Sequence, residues 1–168
     1  MKRAEDGRKS RLADAAVDVL GHDGVRALTH RAVDARAGVP QGTCSYHFPT
    51  RNALLTAALE RIAELDLAES EGRELGAVLA AWAGSHRTRA RFMLMLDPQA
   101  RRELGDAAGR LADGFVELAE KLTGSRARAR LMIGLIDGLL LDELTRGTVA
   151  DDERRERIAV IERIVAMA

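Results

Sequence analysis

Residues 28–55 read LTHRAVDARAGVPQGTCSYHFPTRNALL, and this stretch carries the clearest structural pattern in the chain. Thr29 is suited to cap a short helix over residues 31–37, and Gly38 is suited to the left-handed conformation that ends a helix. A second short helix is predicted over residues 41–47. Two short helices joined by a tight turn that contains a glycine are typical of a helix-turn-helix.

The second of these helices has a surface that suits nucleic acid. It spans only about 10 Å at 1.5 Å per residue, and no acidic residue lies between Gln41 and Phe48. A polar helix without carboxylates enters a DNA major groove without repelling the phosphates. The positions expected to be exposed include Gln41, Thr43, Ser45, Tyr46 and His47.

The rest of the chain also has helical periodicity. Apolar residues recur at helical spacing and no stretch alternates with period two, so we predict an all-α fold without a sheet. Beyond the helix-turn-helix, the expected helices are a long one capped by Thr50, one over 73–96, a short one to Leu104, one ending at Gly124, one from Ser125 to Arg146 and one from Asp151 or Asp152.

The composition excludes several classes of protein. The 168 residues carry 26 Lys and Arg against 26 Asp and Glu, so the net charge of zero predicts no partner. The single cysteine excludes a disulfide framework and a zinc site of several thiolates within one chain. The first residues are too charged for a signal peptide, and the longest apolar run, residues 131–141, is about half a membrane span. We therefore expect a cytoplasmic protein with no membrane partner.

Positive charge is concentrated near the N-terminus, because residues 1–51 hold nine Lys and Arg but only six Asp and Glu. This asymmetry suggests contact with a polyanion, although a solvated tail is the commoner meaning of a few clustered charges. Residues 2–9 are expected to be disordered in the free protein and to add phosphate or minor-groove contacts when DNA is bound.

A longer set of residues with a recognisable spacing surrounds the helix-turn-helix. It comprises Gly21-His22-Asp23-Gly24, Leu28-Thr29, Ala37-Gly38-Val39, Gly42-Thr43, Tyr46-His47-Phe48-Pro49-Thr50-Arg51 and Ala53-Leu54-Leu55. With this set, residues 8–55 resemble the DNA-binding domain of the TetR (tetracycline repressor) family of bacterial one-component regulators. Two residues depart from the family pattern, because Cys44 stands where a leucine is common and Ser45 where an aromatic residue is common.

The resemblance implies an N-terminal three-helix helix-turn-helix domain over residues 1–52 and a helical effector-binding and dimerisation domain over residues 53–168. It implies that residues 41–47 form the recognition helix and that the side chain of Arg51 grips a DNA phosphate. The DNA-binding residues implied in this way are Thr29, Arg31, Gln41, Gly42, Thr43, Ser45, Tyr46, His47 and Arg51.

Some of these residues have a second interpretation. Arg31 is open to an intrachain ion pair with Asp34 or Asp14 instead of a base contact. Cys44 and His47 lie one helical turn apart, but no further ligand is near in sequence, so we expect no metal and interpret Cys44 as a small buried residue. No cofactor is expected. The chain has no nucleophile elbow, zinc-protease pair or phosphate loop, so we expect that it is not an enzyme.

The C-terminal half suggests a homodimer and an effector pocket. In TetR-like proteins the last two long helices pair with those of a second subunit, and Gly134 and Gly138 share a helix face that allows close approach. The expected interface residues are Leu131, Gly134, Leu135, Gly138, Leu141, Ile158, Ile161 and Val165, with burial inside one subunit as the alternative. The candidate pocket residues are Trp82, His86, Phe92, Met93, Leu96, Phe115, Met132 and Asp137, with plain core as the alternative.

The resemblance implies a transcriptional regulator that acts as a repressor. It is expected to bind a palindromic operator in double-stranded DNA as a homodimer, and to be released by a small-molecule effector that the sequence does not identify. The alternative is a helical dimeric ligand-binding or scaffold protein that no longer binds DNA.

Overall fold

The computed structural model describes residues 2–168, with the side chains of residues 5–168. This part of the chain forms helices and no strand, so the all-α prediction is confirmed. A single 3-10 turn, Val25–Ala27, lies between the first two α-helices. None of these helices is long and apolar enough to cross a membrane. The helices are α1 (Lys2–Asp23), α2 (His30–Ala37), α3 (Thr43–His47), α4 (Arg51–Ser70), α5 (Leu75–Trp82), α6 (His86–Leu96), α7 (Pro98–Leu104), α8 (Asp106–Thr123), α9 (Arg126–Arg146) and α10 (Asp151–Met167).

Local side-chain chemistry sets several helix ends as predicted. The hydroxyl oxygen of Thr29 accepts the backbone N–H of Ala32 at 3.1 Å and caps α2. The hydroxyl of Thr50 does the same for the N–H of Ala53 at 3.0 Å and caps α4. Such caps satisfy donors that the first turn of a helix leaves without partners.

The predicted single helix over residues 73–96 is wrong. The structure has two helices there, because α5 ends at Trp82 and α6 begins at His86. Gly84 lies between them with φ +69°, a left-handed conformation that ends a helix and that glycine adopts without strain. The apolar pattern continues on both sides of this break.

The predicted disorder of residues 2–9 is also wrong, since α1 begins at Lys2. The side chains of Lys2 and Arg3 lie outside the described part of the structure, so their predicted contacts with DNA stay predictions. The side chains of Arg8 and Lys9 are exposed on the first turns of α1.

Contacts divide the chain into two units. The first comprises the residues up to Ala68 together with His86–Ala108, and the second comprises Glu69–Ser85 together with Gly109–Ala168. The predicted division into domains after residue 52 stays a prediction.

The first unit is built around α1, which packs against α2 and α6. Its fully buried side chains include Leu12, Leu20, Leu28, Leu54, Leu55, Ile62 and Leu94. Asp66 of α4 is buried and its carboxylate lies 2.7 Å from the Nε of Arg87 in α6, so a charged pair joins these helices. At Gly21 an added Cβ would lie 2.2 Å from the carbonyl oxygen of His86. Helices α1 and α6 therefore touch through backbone at this point.

Among the described residues of the second unit, apolar clusters lie along α9. One cluster contains Val116, Ala119 and Ala129, and the other contains Leu139, Ile161 and Val165. Met132 is half-buried and packs against both clusters. Because α9 contributes to each cluster, it is the central helix of this unit.

A buried ion pair joins α9 to α10. The side chains of Glu143 and Arg154 are almost inaccessible, and their charged atoms approach to 2.8 Å. Glu143 also accepts the backbone N–H of Val149 at 3.3 Å, and Arg154 donates to the carbonyl of Val149 at 3.1 Å. Hydrogen bonding to Glu143 raises the pKa of the Arg154 guanidinium above its usual value. The pair thus fixes the loop between the two helices from both sides.

Candidate nucleic-acid interface

The turn between α2 and α3 depends on two glycines. Gly38 has φ +61° and Gly42 has φ +95°, conformations that residues with a side chain rarely adopt. The helix predicted over residues 41–47 begins two residues later in the structure. Gly42 has a left-handed conformation and is the N-cap residue, so α3 begins at Thr43.

Asp34 of α2 joins the first turn of α3. Its side chain is buried, and its two carboxylate oxygens accept the backbone N–H of Gly42 at 2.8 Å and that of Cys44 at 2.7 Å. Sequence reasoning considered Asp34 only as an ion-pair partner for Arg31 and missed this role. The sequence did contain a signal for this role. The N-cap residue of α3 is a glycine, which has no side-chain acceptor, so another residue must accept the N–H groups of the first turn.

Arg31 is exposed on α2. Both carboxylates considered as its partners have other partners in the structure. Asp34 accepts from the backbone of α3, and Asp14 lies 2.6 Å from the Nε of Arg61 in α4. The structure therefore does not form either of the ion pairs that were the alternative to a base contact.

Tyr46 is strongly exposed on the outer side of α3, with 78% of its surface accessible. Its ring contacts that of His47 edge to face, with the centroids 5.0 Å apart. Gln41 and Ser45 are also exposed, and His47 is half-buried. These four side chains lie on one short, uncharged stretch.

Three hydroxyl groups near α3 are oriented by the backbone. Thr43 donates to the carbonyl of Pro40 at 2.6 Å, and Ser45 donates to the carbonyl of Gly42 at 3.0 Å. Both hydroxyl protons are donated to these carbonyls, so the two hydroxyl groups can only accept hydrogen bonds from other partners. The hydroxyl of Thr29 instead accepts a backbone N–H of α2, so its own proton remains available for donation.

Cys44 lies on the inner side of α3 and is fully buried. Burial, with the nearby charge of Asp34, raises the pKa of its thiol to about 11. The thiol is therefore protonated at neutral pH, whereas a metal ligand is a thiolate. This agrees with the interpretation of Cys44 as a small core residue.

His30 was missed by sequence reasoning. Its Nε2 lies 2.6 Å from the carbonyl oxygen of Phe48, and since a carbonyl only accepts, the ring nitrogen donates. This bond ties the start of α2 to the residue that follows α3. Phe48 is half-buried.

The guanidinium of Arg51 points into the first unit rather than away from it. It donates to the carbonyl of Leu28 and, at 2.8 Å, to that of Val25. Its Nε lies 3.1 Å from a carboxylate oxygen of Glu103 in α7. A phosphate contact by Arg51 stays a prediction.

The candidate effector residues are divided between the two units. His86, Phe92, Met93 and Leu96 belong to the first, and Trp82, Phe115, Met132 and Asp137 belong to the second. Phe92 is buried, whereas Met93 and Leu96 are exposed. His86 lies at the surface, and its Nε2 is 2.9 Å from the carboxylate of Asp18. The grouping of all eight into one pocket stays a prediction.

The second unit contains an open cavity of about 280 Å³. It shares only Met132 with the candidate effector residues. Arg128 and Glu162 place opposite charges at its wall, and the other residues that line it are Leu75, Leu122, Thr123, Ile161, Val165 and Ala166.

The candidate dimer residues differ in exposure. Leu131, Gly134, Gly138 and Leu141 are exposed along one side of α9, and Leu135 is half-buried. An added Cβ at either glycine would meet nothing within 4 Å. Ile158, Ile161 and Val165 are instead buried within the second unit, because they pack toward α5 and α9. Sequence reasoning missed the exposed apolar residues of α10, which are Val160, Ile164 and Met167.

Residues 12–58 match a family described as bacterial regulatory proteins, tetR family. The chain is similar to the multidrug binding protein EbrR complexed with ethidium, at 30% identity over 92% of this chain and 98% of that chain, with a TM-score of 0.72. It is similar to a member of the TetR family from Streptomyces coelicolor A3, at 29% identity over 93% and 96% of the two chains, with a TM-score of 0.69.

A transcriptional regulator from Rhodococcus sp. Rha1 shares the fold, at 21% identity over 95% of this chain and 96% of that chain, with a TM-score of 0.77. No match was found among curated proteins. The matched segment contains α2, α3 and the start of α4, and the similarity to EbrR covers nearly the whole of both chains. This chain belongs to the tetR family of bacterial regulatory proteins.

Proposed function

We propose that this protein is a cytoplasmic repressor that binds a palindromic operator as a homodimer and leaves it when a small-molecule effector binds. The observation that carries the proposal is the exposure of Arg31, Gln41 and Tyr46 on a helix-turn-helix whose recognition helix has no acidic residue. An arginine addresses guanine through two hydrogen bonds and a glutamine addresses adenine in the same way. A DNA-binding regulator is favoured over an enzyme because these residues form the most specific constellation in the chain.

Phosphate contacts supply affinity in this proposal, while base contacts supply sequence choice. Thr29 keeps a hydroxyl proton to donate to a phosphate. Arg51 joins it once the DNA backbone replaces Glu103 as the partner of its guanidinium. The remaining residues assigned to this surface are Gly42, Thr43, Ser45 and His47.

The homodimer is proposed to form through the exposed sides of α9 and α10. Gly134 and Gly138 have open space above them, so a second helix can approach closely there. Exposed apolar residues flank these glycines on α9 and continue on α10. A two-fold dimer presents two recognition helices to two half-sites, which makes the operator an inverted repeat.

The effector is proposed to be an aromatic cation. EbrR has been solved with ethidium, malachite green and proflavin, which are dyes of this kind. The cavity in the second unit combines apolar Leu75 and Met132 with the carboxylate of Glu162, which would attract the cation, although Arg128 at the same wall would oppose it. To act as an inducer, the ligand must bind the DNA-free state more tightly than the DNA-bound state.

The test of the proposed function is selection of bound sites from random duplex DNA with the purified protein. We expect enrichment of an inverted repeat. Replacing Arg31 with alanine should weaken binding to that repeat by about ten- to hundredfold, because one bidentate base contact is lost. Arg36→Ala is the matched control, since Arg36 is on the same helix but pairs with Asp23 at 2.8 Å; it should have a much smaller effect.

Absence of any enriched site at low and moderate salt would overturn the DNA-binding proposal and favour a dimeric ligand-binding or scaffold protein. Equal losses for Arg31→Ala and Arg36→Ala would show that Arg31 contributes only charge. The selected repeat is then used to test induction. We expect proflavin, when it binds the protein, to release the protein from this DNA. Because proflavin also binds DNA, its affinity is measured without DNA by fluorescence, with Glu162→Gln expected to weaken it and Glu156→Gln as the control.

A further inference from the structure

Helix α3 is too short to hold its own position. It has five residues, and isolated helices of this length are not stable in water. Its N-cap residue is Gly42, which has no side chain to accept a hydrogen bond from the first turn. The backbone N–H groups at the start of a helix need partners from elsewhere in the protein.

The carboxylate of Asp34 supplies these partners from the neighbouring helix. One oxygen accepts from Gly42 at 2.8 Å and the other accepts from Cys44 at 2.7 Å. Only 3% of the surface of Asp34 is exposed, and Cys44 is fully buried. Hydrogen bonds to an ionised acceptor that is shielded from water are among the stronger ones in proteins. The negative charge also lies at the positive end of the α3 dipole.

Asp34 therefore fixes one helix of the motif to the other at two points. It lies three residues after Arg31, so the helix that presents Arg31 also determines where α3 begins. The two hydrogen bonds restrain both the translation and the rotation of the first turn of α3. The relative placement of Arg31 and Tyr46 depends on this restraint.

We propose that Asp34 is a positioning residue for sequence recognition, which holds α3 in its DNA-reading orientation before DNA is bound. This inference rests on the proposed function, because it concerns how the same surface reads an operator. Asp34 does not touch the DNA in this arrangement, since its side chain is buried beneath α3. Its effect reaches the bases through the exposed side chains of that helix.

Because Asp34 is negatively charged, the loss of its charge and the loss of its positioning role should change operator affinity in opposite directions. Removing a buried negative charge near DNA, with no other change, strengthens binding to any sequence. Loss of a positioning residue instead weakens binding to the selected operator and leaves binding to unrelated DNA equal or tighter. The two effects have opposite signs on operator affinity, and the ratio of operator to unrelated DNA affinity separates them.

The variant is Asp34→Asn, which keeps the shape of the side chain but places an amide group where one N–H needs an acceptor. We expect operator affinity to fall by about ten- to hundredfold, while affinity for unrelated duplex does not fall. Asp23→Asn is the matched control, since it removes the same charge from an exposed carboxylate that pairs with Arg36. It should leave the ratio of the two affinities unchanged.

A second measurement does not depend on the variant folding. In the free wild-type protein, the amide hydrogens of Gly42 and Cys44 should exchange slowly with solvent, as the restraint predicts. Fast exchange of both amides in the free protein would overturn the proposal, and so would an unchanged affinity ratio for a folded Asp34→Asn protein. If the wild-type protein selects no operator, the proposed function fails, and slow exchange would then show the restraint without a role in recognition.

Discussion

At the scale of single residues, Cys44 shows how the inner side of the recognition helix differs from its outer side. Its thiol is fully buried directly beneath the exposed Tyr46 and Ser45. Burial, with the charge of Asp34, raises the thiol pKa from 9.0 to about 11. Only the thiolate is a strong nucleophile, so a raised pKa and lack of access both protect this residue.

We predict that iodoacetamide alkylates Cys44 in the folded protein at least about a hundredfold more slowly at pH 8 than in the unfolded protein, because two pKa units lower the thiolate fraction by that factor. The rate should keep rising with pH toward 11 instead of levelling near 9. Mass spectrometry of timed samples gives both results. A Ser45→Cys protein with Cys44→Ala is the control, since its thiol is exposed; equal rates for the two folded proteins would contradict the prediction.

The residues that sequence reasoning placed correctly act on near neighbours. The hydroxyl oxygens of Thr29 and Thr50 each accept the backbone N–H of the residue three positions later, and such hydrogen bonds can be predicted from local sequence. Asp34 and Arg51 were harder to interpret. Asp34 binds backbone eight and ten residues away, and Arg51 binds carbonyls more than twenty residues away. Only the packing of the helices brings these groups together.

At the scale of secondary-structure elements, the error at Gly84 has a physical reason. The apolar pattern continues from α5 into α6, so the spacing of apolar residues alone does not reveal that the helix is interrupted between them. The short connection depends on one left-handed glycine. A short helix after the turn was predicted and is present as α3, but its start was placed too early because glycine at position 42 was not weighed as a helix breaker.

The connection between α9 and α10 is predicted to depend on the buried pair of Glu143 and Arg154. Arg154→Met should lower the free energy of unfolding by about 3 kcal/mol or more, because it leaves a buried carboxylate without its countercharge. Adding Glu143→Leu should restore much of the loss, since an apolar pair needs no countercharge. Chemical denaturation followed by circular dichroism at one protein concentration measures both changes.

Arg157→Met is the matched control for this prediction. Arg157 lies on the same helix and pairs with Asp142 at 3.0 Å, but that pair is open to solvent. Its removal should have a much smaller effect, because exposed ion pairs contribute little to stability. If Arg154→Met were no more damaging than Arg157→Met, the buried pair would not be what stabilises this connection.

At the scale of the whole molecule, the proposed assembly makes Gly134 a sensitive position. Gly134→Leu meets open space within one chain but blocks a second helix from approaching α9. We predict that the wild-type protein sediments as a dimer and the variant as a monomer, with its helical content unchanged. Sedimentation equilibrium gives the association state.

Gly109→Leu is the control for this experiment. Gly109 is also exposed, has open space above it and lies on α8, outside the proposed interface. This variant should remain a dimer. A dimeric Gly134→Leu protein would show that this side of α9 is not the interface, and a monomeric wild-type protein would overturn the proposed dimer.

The backbone contact at Gly21 limits how the first unit can change shape. The side chain of His86 also contacts α1 here, since its Nε2 lies 2.9 Å from the carboxylate of Asp18 and its ring centroid lies 5.0 Å from that of His22. The start of α6 therefore has no room to move closer to Gly21 unless α1 moves as well. Since α1 also packs against α2, such a movement of α1 would reach the helix that carries Arg31. The absence of a side chain at Gly21 thus allows α1 and α6 to pack in direct backbone contact, and α1 connects this contact to α2.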